Sequence, residues 1–218
     1  MKKTDILAAF EKHKVLAIIR LHDSDDVIPV GEALVKGGIK MIELTLTTPK
    51  ALEKIEELCS MYEEKKAKTD VLIGAGSVLS AQDVKRAVKA GARFVVSPIF
   101  KKEIIEEAHK RDVVVICGAF TPTEILRASE AGSDIVKVFP AEIISPVYVQ
   151  SVLAPMPHLR MMPTGGITLA NVGDWLQAGA VAVGVGGALL DSTAIAARQF
   201  DVITKRAEKF VAYLQSRA

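Results

Sequence analysis

The chain is short of cysteine, of surplus charge and of long apolar runs, and each shortage removes a class of protein. Only two cysteines occur among 218 residues. Cys59 and Cys117 show neither a CxxC pair nor metal-ligand spacing, which argues against a disulfide scaffold or a zinc module. Both read as buried or half-buried thiols in a reducing compartment. Lys and Arg total 28 against 26 Asp and Glu, a formal net charge of +2. That balance gives no general pull toward nucleic acid or membrane, so any anion site has to be local. No apolar stretch is long enough to span a bilayer. The amphipathic opening, residues 1–14, lacks the apolar core and cleavage site of a signal peptide. The expectation is a cytoplasmic protein with no membrane and no nucleic-acid partner. Linkers and low-complexity tracts are missing as well. The densest charge run, Glu63-Glu64-Lys65-Lys66 with Lys68, reads as a solvated helix face.

What is present is a regular alternation. Half of the residues are hydrophobic, enough for one well-filled core at this length. Short β-branched runs at 15–20, 41–46, 71–77, 94–99, 113–119, 135–140, 159–165 and 181–186 predict strands. Helix-period segments lie between them, at 25–36, 49–66, 81–90, 101–111, 122–131, 146–153 and 169–178, with a final helix near 192–216. Gly37-Gly38, Gly91, Gly132 and Gly179 stand where helix C-caps favour positive φ. Ser24, Ser80, Thr121, Ser145 and Thr168 are N-cap candidates. Eight strands alternating with helices predict a parallel sheet closed into a single-domain (β/α)8 TIM barrel. The domain covers 1–218, with 1–14 an extra N-terminal helix and 15–218 the barrel. An open doubly wound sheet is the alternative.

In such a barrel the chemistry belongs at the C-terminal ends of the strands. Lys137 interrupts an otherwise apolar strand, where desolvation disfavours a charged amine and a neutral one can attack a carbonyl. A strand-end lysine that reaches solvent or pairs with a carboxylate is the plainer reading. On the second strand, period-two alternation turns Met41, Glu43, Thr45 and Thr47 inward and Ile42, Leu44 and Leu46 toward the helices. Glu43 is then either a structural partner of a buried cation or a proton carrier. Beside an inward Lys137, which shares its face with Ile135 and Phe139, the two readings merge. Arg20 ends the first strand, as a bidentate anion clamp or as a rim salt bridge. Thr164-Gly165-Gly166 closes strand seven and Gly184-Val185-Gly186-Gly187 closes strand eight, the two positions where these barrels bind phosphate through backbone amides. Ser77 ends strand three on the inward face, either to hydrogen-bond a substrate carboxylate or to cap a helix.

These residues resemble the 2-keto-3-deoxy-6-phosphogluconate (KDPG) and 4-hydroxy-2-oxoglutarate (KHG) aldolases. The matching stretches are AIIR (17–20), GIKMIELTLTTP (38–49), IGAGSVLSAQD (73–83), FVVSP (94–98), TPTEI (121–125), IVKVFPAE (135–142), PTGGI (163–167) and AVGVGG (182–187). They run in the family's order across nearly the whole chain. The resemblance implies that Lys137 forms the Schiff base and Glu43 is the general acid/base. It implies that Arg20, Ser77, Thr45 and Thr47 hold the pyruvyl carboxylate, with Thr45 close to the chemistry. Thr164, Gly165, Gly166, Gly186 and Gly187 would hold the phosphate, and Pro98 and Phe139 would lie near the reacting centre. It implies no cofactor, no metal and a homotrimer, with a small keto-acid phosphate as substrate. The expected reaction is class I cleavage of KDPG to pyruvate and glyceraldehyde 3-phosphate, and of KHG to pyruvate and glyoxylate. Alternatives are an aldolase of the same family for the galactonate epimer, a non-covalent phosphosugar isomerase or decarboxylase, and a non-catalytic phosphosugar-binding barrel.

Four positions depart from the family pattern. Thr47 stands where many members have arginine, and Ser77 where threonine is common. Ala188 replaces a frequent serine, and Ile99 a glycine at the expected mouth. Each touches substrate choice more than reaction type.

Overall fold

The computed structural model describes residues 2–64 and 70–216. Helix α1 (Lys3–His13) precedes eight strands: β1 (Val15–Ile19), β2 (Met41–Thr45), β3 (Leu72–Gly76), β4 (Phe94–Val96), β5 (Val114–Ala119), β6 (Ile135–Val138), β7 (Met161–Pro163) and β8 (Val183–Val185). Helices α2 (Val27–Lys36), α3 (Ala51–Glu64), α4 (Ala81–Lys89), α5 (Lys102–Lys110), α6 (Pro122–Glu130), α7 (Pro146–Leu153) and α8 (Val172–Gln177) fill the crossovers. Helices α9 (Ser192–Ala196) and α10 (Phe200–Gln215) follow β8. The strands run in parallel in the order β7-β6-β5-β4-β3-β2-β1-β8. The bridge Thr164↔Gly184 joins the two outer strands and closes the barrel. That closure rules out the open doubly wound sheet.

Side-chain alternation builds two apolar layers. Outward residues such as Ile19, Leu44, Ile73, Val115 and Val136 pack under the helices. Inward residues, among them Leu16, Met41, Leu72, Phe94, Val114, Ile135 and Met162, fill the barrel itself. Their layer is capped from below by Ile6 and Phe10 of α1. The Phe10 ring meets Phe94 edge to face at 5.3 Å between centroids, a preferred aromatic geometry. The N-terminal end of the barrel is therefore sealed by apolar contact.

The capping glycines behave as their positions require: Gly38, Gly91, Gly132 and Gly179 have φ between 95° and 101°. Ser80 and Thr121 cap α4 and α6, accepting from Asp83 and Glu124 amides. Ser145 occupies the N-cap of α7 without a side-chain bond. Other boundaries need correction. Asp26 rather than Ser24 precedes α2, and Asn171 rather than Thr168 precedes α8. The single helix expected over 192–216 is two, broken at Arg198, whose φ is 54°. The strands stop one to three residues short of the expected ends at 20, 46, 77, 99, 140, 165 and 186, so several site residues lie on the loops just above them. Lys65, Lys66 and Lys68 of the charge run, and the helix end expected at 66, fall outside the described residues.

Candidate active site

Glu43 and Lys137 continue the inward rows begun by Met41 and Ile135, one step nearer the C-terminal end. Glu43 is aligned with Ile18 of β1 and Gly74 of β3. Lys137 is aligned with Gly118 of β5 and Met162 of β7. Both are buried, at 1% and 5% exposure, where charged side chains are rare. Glycines on the neighbouring strands allow close approach, by Glu43 itself in one case and by the backbone of the loop after β4 in the other. A Cβ on Gly76 would overlap the Glu43 carboxylate, and one on Gly118 would overlap the Pro98 carbonyl. A glycine inside a strand often marks such close approach.

Burial pushes the Glu43 carboxyl above its ordinary range, against the opposing pull of the Lys137 and Arg20 charges. Its Oε2 atom is buried without a hydrogen-bond partner. Buried polar atoms are nearly always partnered, so an orphan oxygen here marks a place where something else is meant to sit. No ion pair joins the carboxylate to Lys137 among the described residues. The Lys137 Nζ instead lies 5.0 Å from the centre of the Phe139 ring, within cation–π range.

A cavity of about 750 Å³ opens beyond the C-terminal ends of β1, β6, β7 and β8; neither Glu43 nor Lys137 is in its wall, but Phe139, against which the Lys137 amine lies, is. Of the residues expected at the site, its wall holds Arg20, Phe139, Thr164, Gly165, Gly166, Gly186 and Gly187. Gly165 and Gly166 have φ of 103° and 68°, a region that L side chains rarely adopt. Gly186 and Gly187 differ. A Cβ on Gly187 would meet nothing within 4 Å, and one on Gly186 only an ordinary contact at 3.8 Å. Neither backbone nor packing demands glycine there, and what the bare residues provide is open access to the main chain from the cavity.

The remaining expected residues sit apart from this wall. Ser77 follows β3 with φ 58° and is half-buried; the cap of α4 is Ser80, so the capping alternative for Ser77 falls. Thr45 is fully buried above Glu43, and the exposed Thr47 reaches its hydroxyl at 3.0 Å. Pro98 is half-buried beside Gly118. Ile99 is exposed and is not part of the wall, so it does not narrow this cavity. Ala188 does line it. Sequence reasoning missed His22, Glu142 and Ser192, which also face the cavity. The available signal for His22 and Glu142 was position alone: each follows a strand end that already carried a site residue.

A closed parallel barrel with an amine and an unpartnered carboxyl oxygen on its inner wall, and a glycine-lined cavity at its C-terminal end, has the architecture of a barrel enzyme for a small anionic substrate. The family model for KDPG and KHG aldolases matches residues 6–206. A 2-dehydro-3-deoxy-phosphogluconate aldolase of Treponema pallidum is 36% identical over 200 residues, covering 91% of this chain and 92% of that one. A KHG/KDPG aldolase of Escherichia coli is 30% identical, with 96% of each chain covered. Among solved structures, KDPG aldolase from Legionella pneumophila, with pyruvate captured as a covalent carbinolamine, superposes with a TM-score of 0.83. It is 30% identical and covers 93% of this chain and 96% of its own. The chain belongs to the KDPG and KHG aldolase family and is a lyase of the aldolase type.

Proposed function

We propose that this aldolase cleaves 2-keto-3-deoxy-6-phosphogluconate to pyruvate and glyceraldehyde 3-phosphate through a Schiff base on Lys137. The observation that carries the reading is the pair on the inner wall: a buried amine and a buried carboxyl whose Oε2 has no partner. The Lys137 amine adds to the C2 carbonyl, and loss of water from the carbinolamine gives an iminium. Glu43, as carboxylate, takes the proton of the C4 hydroxyl while the C3–C4 bond breaks. The bonding pair moves into the iminium and leaves an enamine, and the aldehyde departs. Protonation at C3 and hydrolysis then release pyruvate and restore the amine. A carboxyl with a raised pKa suits both directions of proton transfer near neutrality.

Arg20, with Ser77, Thr45 and Thr47, holds the pyruvyl carboxylate in this reading, and Pro98 and Phe139 flank the reacting carbons. The phosphate rests against Thr164, Gly165, Gly166, Gly186 and Gly187. Cleavage of 4-hydroxy-2-oxoglutarate is the second activity. It is favoured by Ala188, which puts a methyl group rather than a hydroxyl on the cavity wall. A homotrimer would cover the apolar rim formed by Ile143 and Val147, which are 69% and 64% exposed. We place the protein in the cytoplasm; among the described residues no helix is long and apolar enough to cross a membrane.

Borohydride reduction in the presence of pyruvate, read by intact mass and peptide mapping, tests the chemistry. The expected result is one pyruvate-derived adduct on Lys137, absent from Lys137→Ala, with cleavage in that variant down by on the order of 10⁴-fold or more. Full cleavage activity in Lys137→Ala would overturn the proposal and favour the non-covalent isomerase or decarboxylase reading.

A further inference from the structure

At and just beyond the end of β2, three threonine hydroxyls form a chain that begins on a backbone amide of the loop after β1. The Leu21 amide, next to Arg20, donates to Thr48 Oγ1 at 3.2 Å. Thr48 Oγ1 lies 3.4 Å from Thr45 Oγ1, and Thr45 Oγ1 lies 3.0 Å from Thr47 Oγ1. Thr48 and Thr45 are 2% and 0% exposed, while Thr47 is exposed.

The buried members give the chain a direction. The Leu21 N–H can only donate, so Thr48 Oγ1 accepts from it. The Thr48 hydroxyl has its own proton to place, and Thr45 Oγ1 is the one other partner within reach among the described residues. A buried hydroxyl proton without an acceptor is costly. Thr48 therefore donates to Thr45, and Thr45 in turn donates to Thr47. Thr47 receives that bond and is left with a free O–H at the rim. Reversing the chain would leave the buried Thr48 proton without an acceptor among the described residues. The amide of β1's outgoing loop thus fixes an exposed hydroxyl of β2's outgoing loop as a donor. It does so two residues beyond Thr45, in the turn that follows β2.

A donor is what this corner needs. Arg20 is the one lysine or arginine in the wall of the cavity, and a carboxylate has about four lone-pair sites to satisfy. We propose that Thr48 is a positioning residue for the pyruvyl carboxylate. Its hydroxyl ties the Arg20 segment to the Thr45–Thr47 segment and sets Thr47 as the second donor beside the Arg20 guanidinium. The proposal rests on the aldolase reading given above and adds to it how the carboxylate end is held.

The test is the pyruvate concentration that gives half-maximal borohydride trapping, together with the trapping rate at saturation. Thr48→Val keeps the shape and removes the hydroxyl. It is expected to raise the half-saturation about tenfold, the lower end for losing a hydrogen bond to a charged group, with the saturated rate within about threefold of wild type. Thr48→Ser, which keeps the hydroxyl, is expected to stay within about twofold. Thr47→Val should raise the half-saturation like Thr48→Val, and the double variant should lose little more than either, because one chain is broken twice. Unchanged half-saturation in Thr48→Val, equal damage from Thr48→Ser, or additive losses in the double variant would overturn the proposal. Should Thr48→Val not fold, the exposed Thr47→Val decides by the same readout, an unchanged value counting against it. No adduct from wild type overturns the aldolase reading and this proposal together; an adduct from wild type with unchanged saturation in the variants overturns this proposal alone.

Discussion

The two ends of the barrel are built from the same strands and differ by one side-chain step. At the N-terminal end the inward positions are Leu16, Met41, Leu72, Phe94, Ile135 and Met162, an apolar layer plugged by Ile6 and Phe10. One step up, the same rows carry Ile18, Glu43, Gly74, Val96, Lys137 and Thr164. The lower layer is filled to close contact and contributes stability, with about 1.5–3 kcal/mol for each large apolar side chain buried. The upper layer instead holds a glycine, Gly74, whose missing side chain makes room for the Phe94 ring, together with an amine and a carboxyl oxygen with no partner. The division of labour is sharp because the strand period is two. Moving from scaffold to chemistry takes two residues, about 6.6 Å along a strand.

The largest way to break this contrast is Glu43→Gln. If the upper layer is chemical, the variant loses its proton carrier, and kcat should fall by about 10²–10⁴-fold with the Lys137 adduct still formed. Stability should move the other way. The folded-state pKa of Glu43 is raised above its ordinary value of 4.5 by burial. Such a group gives its full stabilisation below that ordinary value and loses it as pH rises through the folded value. Wild type should therefore lose stability across that window, and Glu43→Gln should not. Urea unfolding from about pH 4 to about pH 8 checks the slope. A variant with full activity and an unchanged slope would mean that Glu43 is packing, like the layer below it.

Phe10→Ala is the matching change at the other end. Phe10 is fully buried and meets Phe94 edge to face. Its truncation should cost about 3–5 kcal/mol, lowering the melting temperature by roughly 6–20 °C. The folded fraction should keep wild-type KM and kcat, because the plug packs into the apolar inner cluster, to which neither Glu43 nor Lys137 belongs. A change in KM at full occupancy of the folded state would show that the two layers are mechanically coupled.

Much of this is legible in the sequence alone. Period-two alternation put Glu43 and Lys137 on the inner wall, and the glycines that end helices marked Gly38, Gly91, Gly132 and Gly179, all with positive φ. What escaped follows from physics that a linear pattern does not carry. Ser77 was assigned inward by extending the alternation of β3, but the strand ends at Gly76 and the next residue turns left-handed. The break between α9 and α10 falls at Arg198, a non-glycine residue with positive φ, so no residue type announced it. His22 reaches the cavity from a loop, Glu142 from a single 3-10 turn and Ser192 from the first residue of α9, places where a strand or helix period gives no direction. The Thr48 hydroxyl bond to the Leu21 amide spans 27 positions of chain and becomes visible only when β1 and β2 are paired.

The smallest test sharpens the comparison at the sealed end, which carries a titrating group of its own. His13 closes α1, with Nε2 3.5 Å from Asp70 Oδ2, while Lys40 holds the other carboxylate oxygen at 2.7 Å. Burial is the largest influence on the imidazole and lowers its pKa below 6.5. Lys12 and Lys40 push the same way, and Asp70 opposes them. A histidine with a depressed folded-state pKa contributes stability that is present above its ordinary value and lost as pH falls through the folded one. Wild type should therefore weaken on acidification from about pH 7.5 to about pH 5.5 by slightly more than His13→Gln, which binds no proton there. The difference should be a few tenths of a kcal/mol, since Asp70 is half-exposed and its pairing is screened. Urea midpoints at the two pH values measure it. If the variant weakened more steeply than wild type, the His13–Asp70 attraction would outweigh burial, and the plug would be held partly by charge. If cleavage activity shifted with this substitution as well, protonation at the sealed end would be felt at the open one, and the one-step separation of scaffold from chemistry would fail.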